Sequence, residues 1–384
     1  MFVVTLFCFA GCAHNHELSR QAPSLPGKNA LRVVVFPMDN LSGAFVPVKD
    51  IRKAWVRKLE ETGQHIIDDD ILEYTLTKHR IRFVGGVDTT TARAFREEAK
   101  ADAIFITSLE YYSEIYPPKI ALISRLVTTE ERPKIIWMES VGLAGDDSPG
   151  ILGLGLIRDF NTLQDKALQR LADSFALWQR DNGQLCDADS VEGKYKPKEF
   201  YSASPLDPAK KTSIAVVPLY NESMRKRGGE IAQLHFTRQL KCMANIDPVE
   251  PGLIREKMLG IRMIMIEGVS IRDVDVLTYV LESDFVLSGT VFDYQDPQGG
   301  SGTPKIDFSA LLINKSDRKV VWLSKSYNKG DDGVFFYDVG RQNNANVMAE
   351  DMVNSVVKIM AEEKSPVDYH FAPNVFHDQF PAQR

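Results

Sequence analysis

The chain is written twice, and that repetition restricts its fold more than any other feature. Val33-Val34-Val35-Phe36-Pro37-Met38-Asp39-Asn40-Leu41-Ser42 lies over Ile214-Ala215-Val216-Val217-Pro218-Leu219-Tyr220-Asn221-Glu222-Ser223, so Pro, Asn and Ser coincide at an offset of 181, from Pro37 to Pro218. Ile81-Arg82 meets Ile261-Arg262 at 180, and Asp102 meets Asp284 at 182, each Asp standing before an apolar run. Lys134-Ile135-Ile136-Trp137 meets Lys319-Val320-Val321-Trp322 at 185, as Gly145-Asp146-Asp147 meets Gly330-Asp331-Asp332 and Asn161 meets Asn346. Anchors in one order, with offsets drifting only from 180 to 185, imply two copies of one unit of roughly 150 residues.

Each copy parses alike. A buried strand of β-branched residues opens it, Arg32 to Phe36 or Ser213 to Val217, and the Pro, Asn and Ser then turn the chain. In copy one Ile51, Trp55, Val56 and Leu59 stand at helical spacing, and Gly63 ends that helix. A strand at His65 to Asp68 leads to a second helix near Asp69, where the run Asp68-Asp69-Asp70 reads as helix capping rather than a metal site. A third helix, capped by one of Thr89 to Thr91, runs to about Ala99. Three strands follow, Ala103 to Tyr112, Lys119 to Thr128 and Lys134 to Ser140; copy two offers Ile306 to Ile313 and Val320 to Ser324 as its hairpin. A last helix carries Leu163, Ala167, Leu168, Leu171 and Phe175, or Val347, Met352, Val356 and Ile359, as one apolar stripe. The expected fold class is α/β: two tandem repeats of a mixed-sheet domain, about five strands each, with helices packed mainly on one face of the sheet.

The boundaries follow. The first domain spans residues 31–180 and the second 212–362. Between them 181–211, rich in Asp, Lys and Pro, reads as a linker that packs little, and 363–384 as an irregular tail. At 44% hydrophobic and 26% charged the chain has enough apolar residues for two cores, and a net charge of -6 argues against a general nucleic-acid binder.

Met1 to Ala10 is almost wholly apolar and runs into Gly11-Cys12. This is too short for a transmembrane helix, which needs about 20 apolar residues. An apolar stretch ending Ala-Gly-Cys resembles a bacterial lipobox, with 1–11 as signal peptide and 12–30 as a flexible tether. The resemblance implies cleavage before Cys12 and its acylation (palmitate or a similar chain), each buried methylene adding about 0.8 kcal/mol of membrane affinity. No Lys or Arg precedes the run, so the true start codon is expected upstream. Ala13 after the cysteine resembles cargo sorted to the outer membrane, facing the periplasm. His14 and His16 are too few to define a metal site in such a tether. With Cys8 and Cys12 accounted for, Cys186 and Cys242 are left in an exported compartment, either as a disulfide or with Cys242 as a buried apolar residue.

The strand motif V-x-P-[ML]-x-N-x-S and the hairpin ending Lys-Val-Val-Trp resemble the TolB amino-terminal and CsgG-like lipoprotein domains over both copies. That resemblance implies a non-catalytic envelope lipoprotein, a docking or assembly module for export or envelope biogenesis, with envelope proteins as partners and homo-oligomers through domain contacts. The alternative it carries is a subunit of a CsgG-like secretion channel. Pore relatives need membrane strands of about 9–11 residues, and Ser113 to Pro118 and Gln295 to Pro304 are too short for them.

No H-E-x-x-H or G-x-S-x-G occurs, the histidines are scattered, and no enzyme or cofactor is expected. Gly150 to Ile157 carries no phosphate-loop signature and reads as a close-packed lead-in to the last helix. Asp146-Asp147 and Asp331-Asp332 recur at equal positions. They are the candidate surface for a partner or calcium, set against a plain polar turn.

Overall fold

Pro, Asn and Ser recur because they build one turn twice. Asn40 Nδ2 donates to the Ala44 carbonyl at 2.9 Å, while Ser42 donates to Asn40 Oδ1 from both its amide (3.0 Å) and hydroxyl (2.6 Å). Asn221 Nδ2 donates to the Arg225 carbonyl at 2.8 Å, and Ser223 repeats both bonds to Asn221 Oδ1. The other anchors behave alike. Asp102 accepts from the Arg32 amide and Asp284 from the Ser213 amide, both at 2.8 Å, tying each first strand to the next.

The computed structural model describes residues 31–147, 155–181, 194–203, 206–207, 209–263, 268–269, 271–300, 302–334 and 340–361. The first half contains β1 (Arg32–Val35), β2 (Asp39–Asn40), α1 (Val48–Glu61), β3 (His65–Ile66), α2 (Asp69–Lys78), α3 (Thr89–Glu98), β4 (Ala103–Ser113), β5 (Lys119–Thr128), β6 (Ile135–Ala144) and α4 (Phe160–Arg180). After β7 (Glu199–Ser202), the second half repeats the order with β8 (Thr212–Val216), β9 (Tyr220–Asn221), α5 (Gly228–Lys241), β10 (Ile246–Pro248), α6 (Pro251–Gly260), α7 (Ile271–Val280), β11 (Phe285–Gln295), β12 (Lys305–Asn314), β13 (Val320–Lys329) and α8 (Ala345–Ala361).

The sheets share one strand order. The first runs β3-β1-β4-β5-β6 with β2 on β4, and the second β10-β8-β11-β12-β13-β7 with β9 on β11. In both, a parallel pair leads into an antiparallel meander. This is the expected mixed α/β class.

Helices cover both faces of each sheet, not mainly one. On the far face of the first sheet, α1 and α4 bury Trp55, Phe105, Trp137 and Phe175 as an edge-to-face aromatic cluster. On the far face of the second sheet, α6 and α7 bury Ile254, Met258, Val274 and Leu277. Between the sheets lies a shared core of Ile104 and Ile123 from one sheet, Leu72 and Phe95 from α2 and α3, Phe236 and Met348 from α5 and α8, and Phe308 from the other sheet. So α5 and α8 are clamped between two sheets, and the repeats form one body.

Three local expectations change. The cap of α3 is Asp88, whose carboxylate accepts the Thr91 amide at 2.7 Å, and not a threonine. Asp68 stands at the N-cap of α2 without a side-chain bond, and Asp69 instead pairs with Arg52 at 2.6 Å. The segment 181–211, expected to pack little, supplies β7, which extends the second sheet antiparallel to β13, with Phe200 stacked on Trp322 at 5.3 Å. Tyr195 before it is buried against the Gly330 carbonyl. The Gly150 stretch lies mostly outside the described residues, as do its copy-two counterpart at 335–337 and the tail.

Candidate functional site

Charges that a β-strand would normally point at water are here pointed at the other repeat. One face of β5 carries Lys119, Ala121, Ile123 and Arg125, all buried. At one end Arg125 meets Glu250, the residue that caps α6, and both side chains are 0% exposed. Arg125 donates from Nε (3.1 Å) and Nη2 (3.0 Å) to the two carboxylate oxygens, a bidentate geometry that only a guanidinium provides. The Glu250 carboxylate also accepts the Val87 amide at 3.1 Å, and Arg125 Nη2 donates to the Gly85 carbonyl at 2.6 Å. The backbones close in here too: a Cβ on Gly252 would run into the main chain of Val87.

At the other end Lys119 Nζ bonds Asp296 Oδ1 and the Pro297 carbonyl, both at 2.8 Å. Asp296 Oδ2 accepts the amide of Ala345, the first residue of α8, at 2.9 Å. Twice, therefore, an acid at a helix start in the second repeat is the counter-ion of a β5 cation in the first. Burial pushes the Asp296 carboxyl up, with Lys119 and the Ala345 amide opposing.

Between these ends sits a third cluster. His235 of α5 is buried with Nε2 3.3 Å from Glu110 Oε2 of β4. Asn346 of α8 donates to the same carboxylate, and Arg225 donates to the Glu110 carbonyl. Arg238 of α5 bridges Glu139 of β6 and Glu350 of α8, each at 2.6 Å. Burial opposes a charge on His235, but Glu110 and Glu350 together outweigh it, so the imidazole pKa is raised above 6.5. Burial also pushes the Glu350 carboxyl up, Arg238 opposing.

Beside the junction opens a cleft of about 250 Å³, lined by Asp39, Phe83, Arg227, Glu230 and Arg255 among others. Arg255 lies over the Phe83 ring at 4.2 Å, and Arg227, in the left-handed region at φ 58°, holds Asp39 and Glu230. Burial, with Glu230 adding, pushes the Asp39 carboxyl up against the pull of Arg227. Among the described residues the polar lining of the cleft is the Asp39 and Glu230 carboxylates, the Arg227 and Arg255 guanidinium groups and the Asn221 and Gln233 amides. Among the described residues no group of acids, histidines or cysteines is placed to hold a metal. No helix among them is long and apolar enough to cross a membrane.

The residues singled out in the sequence fall elsewhere. Asp147 Oδ2 accepts the Ala144 amide at 2.7 Å and Asp332 Oδ2 the Lys329 amide at 2.9 Å, so each closes the turn after its meander. Cys242, the C-cap residue of α5, is disulfide-bonded. Cys12 and Cys186 lie outside the described residues. Glu110 and Arg125 were missed because repeat matching rewards likeness, and they are where the copies differ, Glu110 standing where the second sheet has Phe292. Arg125 stands where the second meander has Leu311, and a lone Arg inside Ile-Ala-Leu-Ile-Ser-Arg-Leu-Val was the available signal.

The chain matches no known family model and no curated protein. Among solved structures it is similar to the PelC dodecamer from Paraburkholderia phytofirmans, at 15% identity over 43% of this chain and 97% of that one, with a TM-score of 0.31. Lipoprotein GNA1162 from Neisseria meningitidis matches at 16% over 38% and 98%, with a TM-score of 0.29. The LpoB C-terminal domain from Salmonella enterica matches at 14% over 31% and 86%, with a TM-score of 0.26.

Two predictions follow from the junction. Removing one partner of a fully buried pair strands the other, which costs about 3–5 kcal/mol. Glu250→Ala should therefore lower unfolding stability by that order in urea, while Arg125→Met with Glu250→Leu should cost clearly less. Equal losses would show that the pair is not the source. The second concerns pH. A raised His235 pKa gives stability that is complete below pH 6.5 and lost as pH climbs through the folded value; a raised Glu350 pKa likewise removes stability above 4.5. The urea midpoint should fall from pH 5.5 to 8.5, and His235→Gln should make that fall shallower. An unchanged slope in the variant would remove His235 from this account.

Proposed function

We propose that this chain is a non-catalytic outer-membrane lipoprotein facing the periplasm, held by acylated Cys12 and serving export or envelope biogenesis as a docking or assembly module. The observation that carries the reading is the apolar run Met1 to Ala10 closing on Gly11-Cys12. The fold supports it in that the buried acids and bases at the junction are engaged in holding the repeats together. The TolB amino-terminal and CsgG-like motifs of both repeats belong to the same reading, with Asn40 and Asn221 shaping the same turn in each. Its partners are membrane lipid, other envelope proteins and further copies of the chain, with Asp146, Asp147, Asp331 and Asp332 as the polar surface offered to them. Cys186 is the proposed partner of Cys242, which would tie the segment before β7 to the end of α5.

Fractionation tests this. The native chain should enter the membrane fraction and gain the mass of its acyl chains, whereas Cys12→Ser should be soluble and unmodified. Digestion without reductant should release one peptide holding both Cys186 and Cys242. In mild detergent the native protein should run above its monomer mass. An unmodified Cys12 in a soluble native chain would end the lipoprotein reading, and a monomer in detergent would end the assembly role.

A further inference from the structure

The two repeats differ where their parallel strands end. In the first, Arg52 of α1 bridges the crevice beyond β1: it donates to the Val35 carbonyl at 2.7 Å and to both carboxylate oxygens of Asp69 in α2, at 3.0 and 2.6 Å. At an offset of 181 Arg52 becomes Gln233 and Asp69 becomes Glu250. Gln233 Nε2 keeps the bond to the equivalent carbonyl, that of Val216, at 2.7 Å. Its amide is shorter than a guanidinium side chain, however, and Glu250 is committed to Arg125. Among the described residues the bridge between the two helices is gone, and the cleft of about 250 Å³ opens there, lined by Glu230 and Gln233 of α5 and by Ile254 and Arg255 of α6. β8 has β10 on one side and β11 on the other, so the strand order reverses at β8. In open α/β sheets the crevice outside the carboxyl ends of the strands at such a reversal is where small molecules bind.

The charges around this cleft are separated. The carboxylates of Asp39 and Glu230 share one guanidinium, that of Arg227. Arg255, on the α6 side, meets no carboxylate among the described residues; its guanidinium lies over the Phe83 ring at 4.2 Å. The α5 side thus carries an excess of formal negative charge and the α6 side an excess of positive charge, while the lining as a whole is neutral. A guanidinium laid on an aromatic ring keeps its edge N–H groups free for a carboxylate. A simple anion would answer Arg255 and leave the two acids sharing Arg227, whereas a neutral molecule with separated charges answers both sides. Leu41, Phe83, Leu234 and Ile254 add apolar lining. The space is smaller than the roughly 300–1,000 Å³ of a drug-sized site, which restricts the occupant to a small molecule.

We propose that the cleft binds a small zwitterion, an amino acid or short peptide, whose carboxylate is held by Arg255 and whose ammonium group faces Asp39 and Glu230. Asp39 and Phe83 come from the first repeat and Glu230 and Arg255 from the second, so the ligand joins the repeats where Arg52 joins two helices of one repeat. The site is independent of the lipid anchor and of any assembly role.

Calorimetric titration of the full-length chain with the common amino acids and with alanyl-alanine tests it. At least one should bind saturably, in the millimolar range or tighter, and raise the urea midpoint. The carboxamide of that ligand and its N-acetyl derivative should each bind at least tenfold more weakly to the unaltered protein. Arg255→Gln should weaken the parent ligand by as much with its own unfolding midpoint kept, and Arg57→Gln, at an exposed position on α1, should leave binding unchanged. No saturable binding by any of these probes overturns the proposal. So does binding that survives loss of the carboxylate, of the ammonium group or of Arg255. Binding of inorganic phosphate alone, lost in Arg255→Gln, would mark a plain anion site and overturn the zwitterion.

Discussion

One carboxylate organises the junction. Glu250 starts α6, neutralises Arg125 from the other repeat and holds the Val87 amide, all without contact with water. A buried charge is tolerated only when it is paired, so neither member can be removed without stranding the other, even though Arg125 Nη1 itself has no hydrogen-bond partner among the described residues. The arrangement therefore fixes where α6 starts, how β5 faces it and how closely the 85–87 loop approaches. Lys119 and Asp296 do the same work at the far end of the β5 face, so the two repeats are pinned at two points and cannot slide.

That geometry explains what could be read beforehand. Residues whose task is local recur in both copies, and the recurrence makes them visible: Asn40 and Asn221 close a turn, Asp102 and Asp284 tie two strands, Asp147 and Asp332 end a meander. Strand and helix positions followed from periodicity because each face has a fixed burial. The second helical face of each sheet did not, since period alone says that a stripe is buried and not what buries it. The cap of α3 was misplaced by one to three residues because Asp88 and the threonines after it are all competent caps.

The junction was opaque for a different reason. Its ions have meaning only in pairs drawn from distant parts of the chain, Arg125 with Glu250 and Glu110 with His235. Neither member is unusual alone. The strand β7 was hidden in the same way, because a segment full of Lys, Asp and Pro looks solvated until an open strand edge is known to stand beside it.

The contact between the repeats joins unlike faces of similar units, the kind of joint that can continue without end into fibres. This chain stops it after one step. On the acceptor side, Ile123, Ser140 and Gly142 of the first sheet become Ser309, Lys325 and Tyr327 in the second, a face too polar and too crowded for another helix pair. On the donor side, Ile231 and Leu234 of α5 become Asp50 and Lys53 on α1, both exposed. Each end of the tandem is thus a terminator. A larger assembly has to be built on surfaces that the internal joint does not use, which lets its size be set independently of the joint that holds each subunit together.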